Sequence, residues 1–186
     1  MNDEIRQTPH SGPGGLDRPI DVAAIRQVAR NLEGGAVTSD YAGHREKILE
    51  LLDGALATEL LCVLRYKRHY HTATGLANMP IKAEFLQHAQ EEQAHADQIA
   101  ERIVQLNGTP DFDPSTLAQR SHAEYDESTD IRDMIRANLV AERVAVESYR
   151  QMIEKIGDVD PTTTLLLTRI LAQEQEHADE MRDLLD

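Results

Sequence analysis

Four glutamates stand at positions where an amphipathic helix normally carries apolar side chains. Four long stretches of the chain have mainly Leu, Ile, Val, Ala or Phe at alternating steps of three and four residues, the periodicity of a helix with one buried face. Each stripe has one glutamate near its middle, and a buried carboxylate without a partner is strongly destabilising. The glutamates are Glu59, Glu92, Glu142 and Glu174. Together they predict a shared positive counter-charge.

Two histidines complete this set of polar residues. His95 follows Glu92 by three residues and His177 follows Glu174 by three, so each pair lies on one helix face. Four carboxylates and two imidazoles in this pattern are the ligands of dinuclear iron and manganese sites in helical bundles. Two divalent cations balance four carboxylate charges, and oxygen and nitrogen ligands favour iron or manganese over thiophilic metals. The spacing therefore predicts a di-iron centre, in which manganese or zinc could substitute.

Some neighbouring residues leave alternatives open. Glu91 and Glu176 would be the ligands if the helix register were shifted by one residue, but neither has a histidine three residues later. His88 lies on a core stripe, either as a hydrogen-bonded core histidine or as an auxiliary metal ligand. Tyr66, seven residues after Glu59, either fills the core or acts beside the metals.

Four long helices must bring these residues together. Short connections at 75–80 and 157–160 predict two antiparallel hairpins. The segment 108–129, with a short helix expected at 115–120, is long enough to run the length of a bundle. The predicted fold is therefore an all-α four-helix bundle with one long crossover between its hairpins. The expected helices span about 43–73, 82–106, 130–156 and 161–185.

Composition narrows the class of protein. The chain has 186 residues, 33 acidic and 19 basic, for a formal charge of −14, which disfavours binding to nucleic acid and suits cations. A single cysteine excludes multi-cysteine zinc and iron sites. No apolar run approaches the roughly 18 residues of a membrane span, and the opening has no signal-peptide pattern, so we expect a cytoplasmic protein. Residues 1–42 are expected to form an extension, with a disordered tail and a short amphipathic helix over 21–32, before a bundle at 43–186.

From about residue 43 onward the chain resembles the ferritin-like superfamily, in particular bacterioferritins and Dps-like ferritins with a bacterioferritin-type site within one subunit. The resemblance rests on Glu59 with Tyr66, Glu-Glu-Gln-Ala-His at 91–95, Leu-Asn-Gly-Thr-Pro at 106–110, Ala-Glu-Arg at 141–143 and Glu-Gln-Glu-His at 174–177. It implies a ferroxidase centre that oxidises Fe(II) with peroxide or dioxygen, and a hollow homo-oligomer that stores the iron as mineral. It also implies a catalytic role for Tyr66, in electron transfer or hydrogen bonding.

Departures from the family pattern refine these expectations. Gln93 stands where haem-binding bacterioferritins have methionine, which argues against haem. Nine residues follow His177, too few for the fifth helix of 24-subunit shells, so the resemblance favours twelve subunits. The Lys-rich tail of DNA-binding Dps proteins is missing from residues 1–43, so DNA is not an expected partner. The alternatives are a di-metal peroxidase, catalase or hydroxylase with the same ligands, and a metal-free helical scaffold with protonated carboxylates.

Overall fold

Helices make up most of the chain in the computed structural model, which describes residues 19–35, 37–38 and 41–186. Within these residues no β-strand forms, so the predicted all-α class is confirmed. Single turns of 3-10 helix occupy Tyr41–Gly43, Leu76–Asn78 and Gly157–Val159. The α-helices are α1 (Val22–Val28), α2 (Arg45–Thr72), α3 (Met79–Gln105), α4 (Leu117–Arg120), α5 (Ile131–Ile156) and α6 (Pro161–Asp183).

The ends of the long helices follow local chemistry. Helix α3 begins at Met79, three residues before the predicted start, because Pro80 fits a first helical turn, where its missing N–H needs no partner. The Asp130 carboxylate caps α5 by accepting hydrogen bonds from two backbone N–H groups of its first turn. Gly157, with φ of 48°, ends α5 in a conformation that glycine adopts without strain.

The long helices form the predicted bundle of two hairpins. Helix α2 packs along α3, and α5 packs along α6. The crossover between α3 and α5 carries α4, which packs against α2. None of the described helices is both long and apolar enough to span a membrane. This arrangement brings the middles of the four long helices together in the interior.

The core follows the stripes predicted from the sequence. Their apolar members are buried between the helices, except that Leu184 near the end of the last stripe is only half-buried. Burial of these side chains is the main source of stability of such a bundle. They include Leu52, Leu56, Phe85, Ile99, Ile103, Leu106, Ile135, Met152, Ile156, Leu167, Ile170 and Met181.

A buried polar network fastens the crossover to the bundle. Arg65 is fully buried and donates through Nε to Asn138 Oδ1 at 2.8 Å and through Nη1 to the Glu124 carbonyl at 3.3 Å. The Asn138 amide donates to His69 Nδ1 at 3.1 Å. His69 Nε2 in turn donates to Asp126 Oδ1 at 3.1 Å. These contacts hold the crossover against α2 and α5 beside the centre of the bundle.

The N-terminal part forms a separate unit, divided from the bundle between Thr38 and Ser39. Helix α1 is shorter than the predicted 21–32, and all of its residues are exposed. Asp21 caps it by accepting a hydrogen bond from the Ala24 N–H at 3.0 Å. A helix whose residues are all exposed is stabilised mainly by its own hydrogen bonds, which are weak in a short segment, and this explains why α1 ends early. The predicted disordered tail lies almost entirely in residues 1–18, outside the described residues.

Candidate metal centre

The six residues predicted as ligands lie together in the interior of the bundle. Each is carried near the middle of one of the four long helices, on the stripe that faces the other three. The largest exposed fraction among them is 3%, for His177. They are Glu59 on α2, Glu92 and His95 on α3, Glu142 on α5, and Glu174 and His177 on α6.

These residues form two overlapping groups of four. In each group every residue offers one ligand atom, and the four atoms lie within 4.8 Å of one another. Glu92 and Glu174 belong to both groups, which places them where bridging carboxylates would lie. The first group is Glu59, Glu92, His95 and Glu174, and the second is Glu92, Glu142, Glu174 and His177.

His95 directs one ring nitrogen toward the carboxylates. Its Nδ1 lies 2.8 Å from Glu174 Oε1, 3.4 Å from Glu59 Oε2 and 3.5 Å from Glu92 Oε2. The other nitrogen, Nε2, donates to the side-chain oxygen of Gln173 at 3.1 Å. This bond holds the ring so that Nδ1 faces the centre, which is how ligating histidines are oriented.

His177 has the same orientation in the second group. Its Nδ1 lies 3.4 Å from Glu92 Oε1, 3.8 Å from Glu142 Oε2 and 3.9 Å from Glu174 Oε2. Its Nε2 donates to Glu91 Oε2 at 2.9 Å. Glu91, the neighbour considered for a shifted register, therefore lies behind His177.

The donor atoms of this cluster fit two cations. Buried polar atoms are nearly always hydrogen-bonded. Eight buried atoms of the cluster, however, have no hydrogen-bond partner among the described residues. The atoms are Glu59 Oε2, both carboxylate oxygens of Glu92 and of Glu174, Glu142 Oε2, and Nδ1 of His95 and His177. Oxygen and imidazole nitrogen donors in these numbers suit iron, manganese or zinc.

Burial also makes the cluster hold protons when no metal is bound. Burial raises the pKa of Glu59 well above its ordinary value, and repulsion from Glu92 raises it further. The same two causes raise the pKa of Glu174. Burial lowers the pKa of His177, but its contacts with Glu142 and Glu92 outweigh this and raise it to about 11. Divalent cations bound here would displace these protons.

Two tyrosines form hydrogen bonds between α2 and α5 beside the cluster. Tyr66 donates its hydroxyl proton to Glu142 Oε1, and Tyr149 donates to Glu59 Oε1. Each tyrosine lies seven residues after the glutamate of its own helix and bonds the glutamate of the other helix. Each bond leaves the second oxygen of its glutamate directed to the centre. Sequence reasoning assigned no role to Tyr149, although the repeated seven-residue spacing was a signal for it.

The remaining candidates lie outside the two groups. Glu176 is exposed on α6. His88 is buried and bonds Tyr66 Oη through Nδ1 at 3.0 Å. The single cysteine, Cys62, is also buried outside the two groups, and its Sγ accepts from Arg65 Nη2 at 3.4 Å.

The comparisons with known proteins agree with this architecture. The profile of the ferritin family, described as a ferritin-like domain, matches residues 49–186. The DNA protection during starvation protein of Pyrococcus furiosus is 33% identical over 144 residues, covering 75% of this chain and 77% of that protein. The bacterioferritin of Brucella melitensis is 27% identical over 146 residues, covering 75% of this chain and 83% of that protein.

A solved structure of a bacterioferritin-related protein has a similar fold. The bacterioferritin-related protein of Bacteroides fragilis, a dodecameric thioferritin, matches with a TM-score of 0.72 and 30% identity, over 76% of this chain and 85% of that chain. The family match covers all six clustered residues. The predicted resemblance to bacterioferritins and Dps-like ferritins is confirmed. The chain therefore belongs to the family of ferritin-like domains.

Proposed function

We propose that this protein is a ferroxidase that binds Fe(II) at the six-residue cluster, oxidises it and stores the product. The observation that carries the proposal is the set of eight buried ligand-type atoms without a hydrogen bond, arranged in two groups that share Glu92 and Glu174. A metal-free scaffold would have to keep these atoms without hydrogen bonds, or protonated, in the interior, at considerable cost. Two divalent cations would give all eight atoms a positive partner.

The reaction takes two Fe(II) ions as substrate. Each ion loses one electron, and one hydrogen peroxide molecule takes up both electrons with two protons to give two water molecules. Dioxygen would take up the same pair with two protons to give hydrogen peroxide. Glu92 and Glu174, shared by both groups, hold the ions close enough for both electrons to reach one oxidant molecule.

The surrounding residues keep the ligands in place. The Tyr66 and Tyr149 hydroxyls each fix one carboxylate oxygen, so that the other oxygen is available to iron. Tyr66 is the tyrosine that we assign to electron transfer, because its hydroxyl contacts both Glu142 in the cluster and His88 outside it. No step of the proposal uses haem, since Gln93 offers no sulfur ligand.

Storage requires a shell around the oxidised iron, and we propose a homo-oligomer of twelve chains. The Bacteroides fragilis relative at 30% identity is a dodecamer, which supports this number. Large apolar side chains on the outer faces of the long helices, such as Leu64 at 50% and Val140 at 62% exposed, are available for contacts between chains. The charge of −14 favours Fe(II) and excludes sequence-independent DNA binding from the proposal.

A single variant tests the centre. We expect Glu92→Gln to lower the rate of Fe(II) oxidation by at least about 100-fold, because it removes a carboxylate that both groups share. Loss of a residue that only orients a metal ligand already lowers activity by about 10- to 100-fold. The rate is followed by the absorbance of Fe(III) after anaerobic loading and addition of peroxide. Glu101→Gln, with the same charge change at an exposed position of the same helix, is the control and should react like the wild type. A wild-type rate in Glu92→Gln would refute the assignment.

A further inference from the structure

A second cluster of ligand-type side chains lies between the candidate centre and solvent. Glu84 and His88 on α3 and Glu180 on α6 each offer one ligand atom, and these atoms lie within 4.8 Å of one another. His88 is fully buried, Glu84 is half-buried and the Glu180 side chain is 49% exposed. The cluster is therefore open to solvent on one side and closed on the side of the six-residue centre.

The hydrogen bonds around His88 show that its outer nitrogen faces an acceptor. Tyr66 gives its only proton to Glu142, so its oxygen accepts from His88 Nδ1–H. The outer ring nitrogen, Nε2, lies 2.8 Å from Glu180 Oε2, so that an imidazole nitrogen and a carboxylate oxygen face each other at the distance that separates two ligands of one cation.

We propose that Glu84, His88 and Glu180 form a third divalent-cation site. Two carboxylates neutralise the charge of one divalent ion, and the imidazole supplies a nitrogen ligand that selects transition metals over Mg²⁺ and Ca²⁺. The bond from His88 Nδ1 to Tyr66 orients the ring as the outer partners of ligating histidines do. Three protein ligands leave positions for water, so that the ion can exchange.

This third site is linked to the candidate centre by further ligand atoms. His88, Glu91 and His177 form another group within 4.8 Å, which shares His88 with the third site and His177 with the centre. The rings of His88 and His177 stack with centroids 4.2 Å apart. A cation can thus pass inward along these residues. This transfer role rests on the proposed ferroxidase function, whereas the binding of a cation at the third site does not.

Cobalt binding tests the third site directly. We expect the full-length protein to bind three Co(II) per chain in equilibrium dialysis with excess Mg²⁺, which occupies carboxylate-only surface sites. Glu84→Gln/Glu180→Gln should bind two, since neither residue belongs to the centre. The matched control is Glu101→Gln/Glu176→Gln, with the same charge change at exposed positions of the same two helices, and it should bind three. The Co(II) visible absorption spectrum of the double variant should lose the component of one ion.

The other outcomes separate the two proposals. Two Co(II) per chain in both the wild type and Glu84→Gln/Glu180→Gln would overturn the third site and leave the dinuclear centre intact. Fewer than two in the double variant would overturn an independent third site. A wild type that binds no Co(II) would overturn both proposals.

For the transfer role, the Fe(II) concentration at half-maximal oxidation rate should rise several-fold in the double variant and not in the control. An unchanged value in the double variant would overturn that role.

Discussion

Single residues around the candidate centre are arranged in two related halves. Tyr66 and Tyr149 exchange hydrogen bonds with the glutamates of the opposite helices, which ties α2 to α5 across the centre. The histidines differ in their outer partners, because His177 donates to the carboxylate of Glu91 and His95 to the neutral amide of Gln173. A carboxylate partner makes an imidazole a stronger ligand. The two metal positions should therefore differ in affinity, with the His177 position the tighter.

The two tyrosines provide a test at this scale. We expect Tyr149→Phe to weaken Co(II) binding at the centre by about 10- to 100-fold, because the Glu59 carboxylate loses the bond that orients it. Tyr66→Phe should weaken it more, since Tyr66 also bonds His88. Isothermal titration measures both effects. Tyr70→Phe, at a half-buried position away from the centre, is the control. Affinities in the two variants that equal the control would contradict a supporting role of these hydroxyls.

Among the elements, the contact between the end of α3 and the start of α6 sets the level of their ligands. Arg102 near the end of α3 donates to both Asp160 oxygens at 2.9 Å, and through Nε to Thr163 Oγ1 at 2.8 Å. Asp160 also caps α6 by accepting from the Thr163 N–H at 3.1 Å. Both members of the pair are buried. This pair fixes α6 lengthwise against α3, and so helps to place Glu174 beside Glu92.

Breaking this ion pair should destabilise the bundle. We expect Asp160→Asn to lower the free energy of unfolding by about 3 kcal/mol, because Arg102 keeps a buried charge without its counter-ion, while asparagine still caps the helix. The melting temperature at fixed protein concentration measures the effect. Asp158→Asn, at an exposed neighbouring position, should change stability by less than about 0.5 kcal/mol. Equal melting temperatures in the two variants would contradict this role of Asp160.

The same pair makes a prediction about pH. Burial opposes ionisation of Asp160, but the bonds from Thr163 and Arg102 outweigh it and lower its pKa below the ordinary 3.8. The stabilising contribution is therefore complete above the pKa of the unfolded chain and is lost as the pH falls through the lower folded value. The difference in melting temperature between the wild type and Asp160→Asn should shrink below about pH 4. A difference that stays constant down to pH 3 would contradict this linkage.

For the whole molecule, the proposed storage of iron can be tested by the size of the assembly and by its iron capacity. Twelve chains of 20.8 kDa make a particle of about 250 kDa. We expect light scattering after size-exclusion chromatography to give this mass, and the particle to take up many more than two irons per chain after loading with Fe(II) and peroxide. A monomer or dimer that stops at two irons per chain would contradict storage. That result would favour the di-metal peroxidase, catalase or hydroxylase that uses the same ligands.

The sequence by itself determined the four long helices, their core stripes and the six residues of the cluster. Helical periodicity assigns each side chain to one face, so an acid on an apolar stripe is visible without any structure. Spacing along the hairpins placed the four glutamates at one level, and the short connections implied antiparallel pairs. Local details differed: α3 starts at Met79, where proline fits the first turn, α1 ends early at Val28, and the crossover helix predicted at 115–120 begins at Leu117.

Only the tertiary structure decided which side chains touch across the bundle. The contacts of Tyr66 with Glu142, Tyr149 with Glu59 and His88 with Glu180 join residues 76, 90 and 92 positions apart. The same holds for the sharing of Glu92 and Glu174 between the two groups and for the place of Glu91 behind His177. These features depend on how far each helix is rotated and shifted against its neighbours. Periodicity assigns a residue to a helix face, but packing between helices sets that rotation and shift.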